Sequence, residues 1–338
     1  MPARLRTPRR LLAVPLALCA GLAVALSPAG RAADPVPVGA SAAGAAAEAG
    51  PAAVAVCPIG STVVRDAMAG RNWAPLTPSK WRFPGTEVIL AEAGVPPSGP
   101  RRPYEYAVLR KGPEFATVQI EADVRIDTPV HITTRDIVVI FGYQSATRFY
   151  YVHLSSDNKV YAHNGIFVVD NADRRRIDDQ WNGSVGARPA ITDGAYHRVR
   201  ITHCSGTGQI ALYVDGASTP LMTATDTTLK AGRVGFGSFD DVGRLRNLVV
   251  TGAPACRGVA ATSIGTDLDD TIVGTSGPDV IVGLGGRDSV SAGGGNDIVC
   301  GGDGDDVLLG EAGDDVLLGE GGFDQLVGGP GRDIVRQD

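Results

Sequence analysis

Eight aspartates recur at intervals of nine residues towards the C-terminus of this 338-residue chain. From Gly265 onward the sequence divides into eight nonapeptide units without insertion or deletion, and position six of each unit is Asp. Position eight is always aliphatic, and positions one and four are each glycine in seven of the eight units. The aspartates are Asp270, Asp279, Asp288, Asp297, Asp306, Asp315, Asp324 and Asp333. Carboxylates at such a regular interval can act together as ligands for a cation.

The same spacing predicts the elements that position these side chains. Positions seven to nine form a short strand whose central aliphatic residue points inward, and the six preceding residues turn the chain. Such turns require positive φ at some positions, which glycine supplies without steric cost. Eighteen residues make one full turn, so the eight units predict about four turns of a parallel coil. Alternate units then lie on opposite edges and divide the aspartates into two files, Asp270, Asp288, Asp306 and Asp324, and Asp279, Asp297, Asp315 and Asp333.

Stacked carboxylates need a counter-charge. Successive parallel strands lie ~4.8 Å apart, and at that separation two carboxylates repel by roughly 3 to 4 kcal/mol at an effective dielectric of 20. A hard dication between turns reverses the sign, with Asp oxygens and turn carbonyls as ligands. Oxygen ligands favour calcium, and zinc is disfavoured because no histidine follows His203. The pattern therefore predicts calcium sites that stabilise the coil.

The units resemble the repeats-in-toxin (RTX) family, whose motif is Gly-Gly-x-Gly-x-Asp-x-aliphatic-x. Residues 301–309, GGDGDDVLL, match every defined position, and the similar region covers about a fifth of the chain. The resemblance implies a calcium-loaded β-roll with calcium between position-six aspartates two units apart, which allows up to six sites. Five further acids, Asp267, Asp269, Asp303, Asp305 and Asp314, are interpreted as solvated loop charges.

The N-terminus has the composition of an export signal. Four arginines precede an apolar run from Leu11 to Leu26, and Gly30-Arg31-Ala32 follows as a cleavage region with a small residue at each end. The run is 16 residues long, short of the ~20 that span a bilayer, so we expect a cleaved signal peptide over residues 1–32 and no membrane span afterwards. The mature protein is then secreted and extracellular. Residues 33–56 are mostly Ala, Gly, Pro and Val, which predicts a disordered linker.

Signal cleavage leaves four cysteines, Cys57, Cys204, Cys256 and Cys300, in an oxidising compartment. Two disulfides are expected, and the count alone permits three pairings. The stretch from Cys256 through residues 264–266 to residues 299–302 resembles repeat modules of secreted actinobacterial proteins. That resemblance implies the pair Cys256–Cys300, which leaves Cys57 with Cys204.

Charge separates the chain into two regions. From Gly265 onward 16 acidic residues face three arginines, a balance of −13, so the preceding residues sum to +7 against the net charge of −6. No cluster of basic and aromatic residues indicates nucleic-acid binding. The predicted roll comprises residues 256–338, and a different domain occupies residues 57–255.

Alternating apolar residues predict an all-β domain over residues 57–255. The clearest strand is 117–126, in which every second residue is apolar. Further strands are predicted at 136–141, 149–154, 196–202, 209–214, 233–236 and 245–250, with turn residues between them. Many short strands without a helical period favour a jelly-roll sandwich. The fold class is therefore all-β, a jelly-roll sandwich followed by a parallel β-roll.

Four segments of this domain, residues 193–201, 209–216, 232–237 and 244–250, resemble the concanavalin A-like lectin and glucanase superfamily, including its laminin-G-like and keto-disaccharide-hydrolase-like branches. The resemblance implies recognition of a polysaccharide or cell-surface glycan on one sheet. Retaining glucanases of this superfamily carry Glu-x-Asp-x-Glu on one strand. Here Glu121 and Asp123 are followed by Arg125, so the acid is missing and no catalytic residue is assigned.

Three hypotheses remain from the sequence. The first is a secreted, calcium-dependent glycan-binding or adhesion protein without catalysis. The second is an extracellular carbohydrate-active hydrolase with an unrecognised site, and the third is a structural envelope protein. Trp73, Trp81 and Trp181 could stack on sugar rings, although core packing is the favoured interpretation.

Overall fold

The structure is a computed structural model that describes residue 60 and residues 62–65, 67–161 and 163–337. The predicted signal peptide, the predicted linker and Cys57 lie outside the described residues. Within them, helix is confined to the 3-10 turns Gly70–Asn72 and Pro78–Lys80. No helix in this part of the chain is long and apolar enough to cross a membrane. The all-β prediction is confirmed.

Two antiparallel sheets build the first domain, called the sandwich from here on. Its strands are Thr62–Arg65 (β1), Trp73–Pro75 (β2), Trp81–Arg82 (β3), Val88–Leu90 (β4), Glu105–Leu109 (β5), Glu114–Ile126 (β6), Asp136–Ser145 (β7), Arg148–Ser155 (β8), Gly165–Asp170 (β9), Arg175–Arg176 (β10), His197–Cys204 (β11), Gln209–Val214 (β12), Met222–Thr225 (β13), Arg233–Ser238 (β14), Gly243–Cys256 (β15) and Val259–Ala260 (β16). The front sheet has the order β13-β12-β11-β6-β15-β4-β3, with β1 and β16 also paired to β15. The back sheet has the order β10-β9-β8-β7-β14-β5-β2.

The main apolar core lies between the two sheets. On β6 the alternate residues Val118, Ile120, Ala122, Val124 and Ile126 are buried, as the pattern predicts. A second apolar cluster, which includes Val138, Ile140 and Tyr151, lies on the other face of the back sheet. Its residues alternate along the strands with those of the main core. Burial on both faces explains why the sequence of β7 is a continuous apolar run rather than an alternation.

The second domain, called the roll, consists of two parallel sheets. Ser263–Ile264 (β17), Val280–Gly285 (β19), Ile298–Asp303 (β21), Val316–Gly321 (β23) and Ile334–Arg336 (β25) form one, and Thr271–Val273 (β18), Ser289–Ser291 (β20), Val307–Leu309 (β22) and Gln325–Val327 (β24) form the other. Neighbouring strands pair in a register of 18 residues, as in Ile272 with Val290. The predicted coil of about four turns is confirmed.

The position-eight residues of the roll make one thin core, in which Ile281, Val290, Val299, Leu308 and Leu317 are almost fully buried. Two details depart from the predicted strands. The strands of the second, fourth and sixth units, β19, β21 and β23, extend beyond position nine into the next unit, and β17 adds a short strand before the first repeat.

The strand β15 joins the two domains, because it runs through the sandwich and ends at Cys256, the residue at which the second domain was predicted to begin. A disulfide connects Cys256 to Cys300 in β21, the pair that the resemblance implied, with Cα atoms 5.9 Å apart. Cys204 lies at the end of β11, and its predicted partner Cys57 is outside the described residues, so that pairing stays a prediction.

Candidate metal sites

The position-six aspartates lie immediately before the strands of the roll, in the two predicted files. Because the register is 18 residues, each carboxylate stands one turn above its predecessor in the same file. Four central members, Asp288, Asp297, Asp306 and Asp315, are almost fully buried. Asp279 is also buried, and the terminal members Asp270, Asp324 and Asp333 are partly exposed.

One oxygen of each later carboxylate is fixed by the backbone. The Oδ1 atom accepts a hydrogen bond from the amide of the position-six Asp one turn earlier, for example from Asp270 to Asp288. Six such bonds of 2.8–3.0 Å run along the two files. These bonds hold each carboxylate between two turns and orient its second oxygen.

The second oxygen is where the two files lack protein partners. The Oδ2 atoms of Asp288, Asp297, Asp306 and Asp315 are buried and accept no hydrogen bond. A buried carboxylate oxygen without a partner costs several kcal/mol, and repetition at four positions points to a ligand rather than to a local defect. In the first turn, by contrast, Oδ2 of Asp270 accepts hydrogen bonds from Thr266, and Oδ2 of Asp279 accepts them from Thr275.

Backbone carbonyls line the same space. A Cβ placed on Gly283 would collide with both the Gly301 carbonyl oxygen and Oδ2 of Asp288. The same construction at Gly301 meets Oδ2 of Asp306 and the Gly319 carbonyl oxygen. Carboxylate and carbonyl oxygens from successive turns therefore converge over the position-one glycine, a donor set that suits calcium.

The glycines of the repeat act in two ways. The positive φ expected at some positions occurs at position four in the third to eighth units, as at Gly304 with φ of 146°. The position-one glycines do not have positive φ, and there the absent side chain leaves room for the oxygens. Ala292, which replaces glycine at position one of the fourth unit, belongs to the aliphatic core cluster.

Electrostatics of the files follow from burial. Desolvation, together with the neighbouring carboxylates of Asp306 and Asp270, raises the pKa of Asp288 to about 6. The pKa values of Asp297 and Asp306 are raised for the same reasons, desolvation first. The surroundings of these three carboxylates therefore disfavour the charged form, which a bound dication would favour again.

A second ladder, at position five, was missed by the sequence reasoning. The Oδ1 atoms of Asp269, Asn296, Asp305 and Asp314 accept hydrogen bonds of 2.8–3.0 Å from the position-five amides one turn later. Asp269, Asp305 and Asp314 were interpreted as solvated charges, and this backbone role is additional. The available signal was the recurrence of Asp or Asn at position five. Unlike the position-six files, this ladder is exposed and contains a neutral member, Asn296.

The stretch Glu121 to Arg125 forms ion pairs on the outer face of the front sheet. Arg198 contacts Glu121 at 2.9 Å and Asp123 at 3.2 Å, and Asp123 also accepts a hydrogen bond from Asn247. Arg125 pairs with Asp127 at 2.6 Å. These partly exposed acids are thus held by arginines of the same sheet.

Of the tryptophans, Trp73 and Trp81 are buried in the sandwich core, as favoured from the sequence. Trp181 is partly exposed and packs edge-to-face against Tyr161, with ring centroids 5.6 Å apart. Tyr161 is 48% exposed to solvent. The guanidinium carbon of Arg176 lies 4.4 Å from the centroid of the Trp181 ring.

A further acidic group, Asp136, Asp240 and Asp241, was not anticipated. Its nearest carboxylate oxygens lie within 4.8 Å of one another. Asp136 accepts a hydrogen bond from Ser238 and lies 3.1 Å from the His153 ring nitrogen, and Asp241 accepts one from the Asp136 amide. Burial raises the pKa of Asp241 to about 6. Internal hydrogen bonds hold the carboxylates of Asp136 and Asp241, in contrast with the files of the roll.

Comparison with protein families identifies the repeats. Residues 264–299 and 301–335 match the model of the RTX calcium-binding nonapeptide repeat. The C-terminal domain therefore carries calcium-binding RTX repeats in a parallel β-roll. No curated protein sequence matches the chain.

Solved structures similar to this chain include the following three. The carbohydrate-binding module CBM66 from Bacillus subtilis is 12% identical, with a TM-score of 0.39, over 54% of this chain and 94% of that one. The exoplasmic/lumenal domain of VIP36 in its Ca2+/Man3GlcNAc-bound form is 8% identical, with a TM-score of 0.38, over 56% and 86% of the two chains. The winged bean acidic lectin complexed with methyl-α-D-galactose is 9% identical, with a TM-score of 0.38, over 56% and 97%.

Proposed function

We propose that this protein is exported, that its roll binds calcium through the eight position-six aspartates, and that its sandwich binds a glycan. The observation that carries the calcium proposal is the set of four buried Oδ2 atoms without hydrogen-bond partners. Carbonyl oxygens of the position-one glycines complete the donor set. Six inter-turn pairs of aspartates give room for up to six ions.

Each group of the roll has a separate part in this proposal. The Oδ1 hydrogen bonds orient the carboxylates before the ion arrives, which lowers the cost of ordering the ligands. Calcium, when bound, neutralises the stacked charges and links one turn to the next. The aliphatic core then remains closed, because turns that no longer repel can stack at strand spacing.

The affinity expected of such sites agrees with the proposed export. Extracellular calcium sites typically work at about 10⁻⁴ to 10⁻³ M, far above cytosolic free calcium. The predicted signal peptide over residues 1–32 supports export, so the roll would load only after the chain leaves the cell. Calcium then acts as the switch that completes folding.

The ligand assignment is tested by equilibrium dialysis of the mature chain against calcium. The double variant Asp288→Asn and Asp306→Asn removes a member from each of the three pairs of one file, so we expect up to three fewer bound ions per chain. The matched control is Asp269→Asn and Asp305→Asn, on the same edge of the roll at position five. The natural Asn296 shows that an amide accepts the same backbone hydrogen bond, so the control should bind calcium like the wild type. Equal binding by both double variants would refute the assignment.

The glycan proposal is supported by the aromatic pair Tyr161 and Trp181 at the surface of the sandwich. The exposed Tyr161 ring packs against Trp181, on which Arg176 stacks, and such a ring suits stacking on a sugar face. Affinity electrophoresis of the mature protein in gels that contain plant or bacterial polysaccharides, with calcium present, should show retardation. Tyr161→Ala should reduce it, whereas Phe323→Ala, which removes an exposed ring of the roll, should not. Migration unchanged by every polysaccharide would count against glycan binding.

A further inference from the structure

The Cys256–Cys300 disulfide crosses from one domain to the other. Cys256 is the last residue of sandwich strand β15, and Cys300 lies in roll strand β21. Both cysteines are buried, in an apolar cluster with Val280 and Val282. The bond therefore fastens the sandwich to the second turn of the roll.

Two inter-turn pairs of aspartates lie within the loop that this bond closes. The bonded cysteines are 44 residues apart, and the first four repeat units lie between them. The enclosed pairs are Asp270 with Asp288 and Asp279 with Asp297, which are the pairs that stack the second turn on the first.

Correct stacking is also what positions Cys300. Its strand is held in parallel register, with Cys300 opposite Val282 on one side and Leu318 on the other. If the turns do not stack, Cys300 belongs to a loose chain tethered at Cys256, and the two thiols seldom meet. If the turns stack, the two cysteines face each other across the apolar cluster.

A second contact fixes the roll against the sandwich near its last turn. Arg233 of β14 donates to Glu320 of β23 at 3.2 Å, and its guanidinium also donates to the carbonyls of Arg110 and Gly112. Glu320 has φ of 69°, at position two, where Gly302 one turn earlier also has positive φ. Position two has this conformation in other units as well, and at Glu320 the side chain reaches the sandwich.

We propose that calcium binding and the Cys256–Cys300 disulfide are reciprocally linked, so that each favours the other across the junction of the two domains. The inference rests on the proposed function, because it requires calcium to stack the turns. Calcium loading places Cys300 against Cys256 and drives disulfide formation. The closed disulfide removes freedom from the unloaded loop and thereby tightens calcium binding by the enclosed pairs, by the same factor.

Glutathione disulfide is the oxidant in the proposed step. One cysteine thiolate attacks it, which forms a mixed disulfide and releases one glutathione. The second cysteine thiolate attacks the mixed disulfide, closes the Cys256–Cys300 bond and releases the second glutathione. The two cysteines lose two protons and two electrons, which the two glutathione molecules carry away.

The test uses the mature chain, equilibrated in glutathione redox buffers with millimolar calcium or with EDTA. Free thiols are alkylated, and the oxidised fraction of the Cys256 and Cys300 peptides is measured by mass spectrometry, with bound calcium measured by dialysis in parallel. We expect calcium to shift the thiol–disulfide equilibrium constant towards the disulfide by at least about tenfold, a conservative part of the effect of closing a loop of this length. Bound calcium with an unshifted equilibrium would overturn the linkage and leave the proposed function standing. An absence of bound calcium would overturn both.

Two variants at position two provide a matched comparison. Glu320→Gln weakens the contact with Arg233, so the shift produced by calcium should fall by about twofold to fivefold. Glu311→Gln is the control, because Glu311 has nearly the same φ of 68° but is exposed and is not paired with an arginine of the sandwich. Equal losses in both variants would overturn the role of the junction, since the effect would then belong to position two itself.

Discussion

In the sandwich, the buried carboxylate of Glu105 accepts hydrogen bonds from the Thr77 amide and the Trp81 indole, whereas in the roll the buried Oδ2 of Asp306 accepts none. The contrast is general. Within the described residues, the buried carboxylate oxygens without a hydrogen-bond partner all belong to the roll. In a sandwich, turns and the opposite sheet can supply hydrogen-bond donors to a buried carboxylate. In a coil of nine-residue repeats, each turn is surrounded by turns of nearly the same composition, so a donor that is missing from one turn is missing from its neighbours. The missing partner must therefore come from solution.

Calcium removal should have the largest effect and should separate the two domains. We expect the mature chain in EDTA to keep the sandwich folded and to lose the roll. Each filled site adds about 2.7 kcal/mol to the unfolding free energy when calcium is at 100 times its dissociation constant. Calorimetry should show one transition in EDTA and a second, calcium-dependent one on titration. If the unfolding temperature of the roll did not change with calcium concentration, the proposed difference between the two domains would be refuted.

Core truncation should cost similar amounts in both domains but respond differently to calcium. Leu308→Ala in the roll and Leu212→Ala in the sandwich each remove a fully buried side chain, with an expected loss of about 2–5 kcal/mol. More calcium should offset the loss at Leu308, because binding is linked to folding of the roll. It should leave the loss at Leu212 unchanged, and denaturant unfolding at several calcium concentrations distinguishes the two.

Acid should weaken the sandwich through a buried histidine. Burial lowers the pKa of His203 to about 4 from its ordinary value of 6.5. A depressed histidine pKa means that the unfolded chain binds the proton more tightly, so this contribution is intact above pH 6.5 and is lost as the pH falls towards 4. The loss could reach about 3 kcal/mol. Urea unfolding in EDTA at neutral and acidic pH should show it, and His203→Gln should flatten that part of the profile.

An exposed ion pair provides the smallest effect. Arg332 and Asp314 pair at 2.8 Å in the roll, with 91% of the arginine side chain exposed. Arg332→Ala should leave the roll transition in calcium unchanged within error, because the Asp314 carboxylate still accepts the backbone amide of residue 332. A clear destabilisation would mean that the ion pair at position five stabilises the roll in addition to the backbone hydrogen bond.

The roll could be predicted closely from sequence, because each position of the repeat has one local structural role and the same residue pattern recurs in eight units. In the sandwich, β6 was predictable from alternation, but β1 to β5 were not, since these strands have two to five residues and take their partners from distant parts of the chain. The same distance hid the pairing of Asp136 with His153 and the crossing of the disulfide between domains. The position-six ligands could be predicted because every unit has Asp there. The position-five hydrogen bonds could not, because they depend on which backbone amide lies one turn away.

The 18-residue register has a consequence for changes in length. The roll has translational symmetry along its axis, so a deletion or duplication of 18 residues after Cys300 would return every side chain to its own file and edge. A nine-residue change would instead exchange the two edges for all later residues, and Glu320 would face away from Arg233. Growth of such a domain by whole turns thus shifts later residues along the axis but keeps each on its own edge, whereas growth by half turns also moves each to the opposite edge.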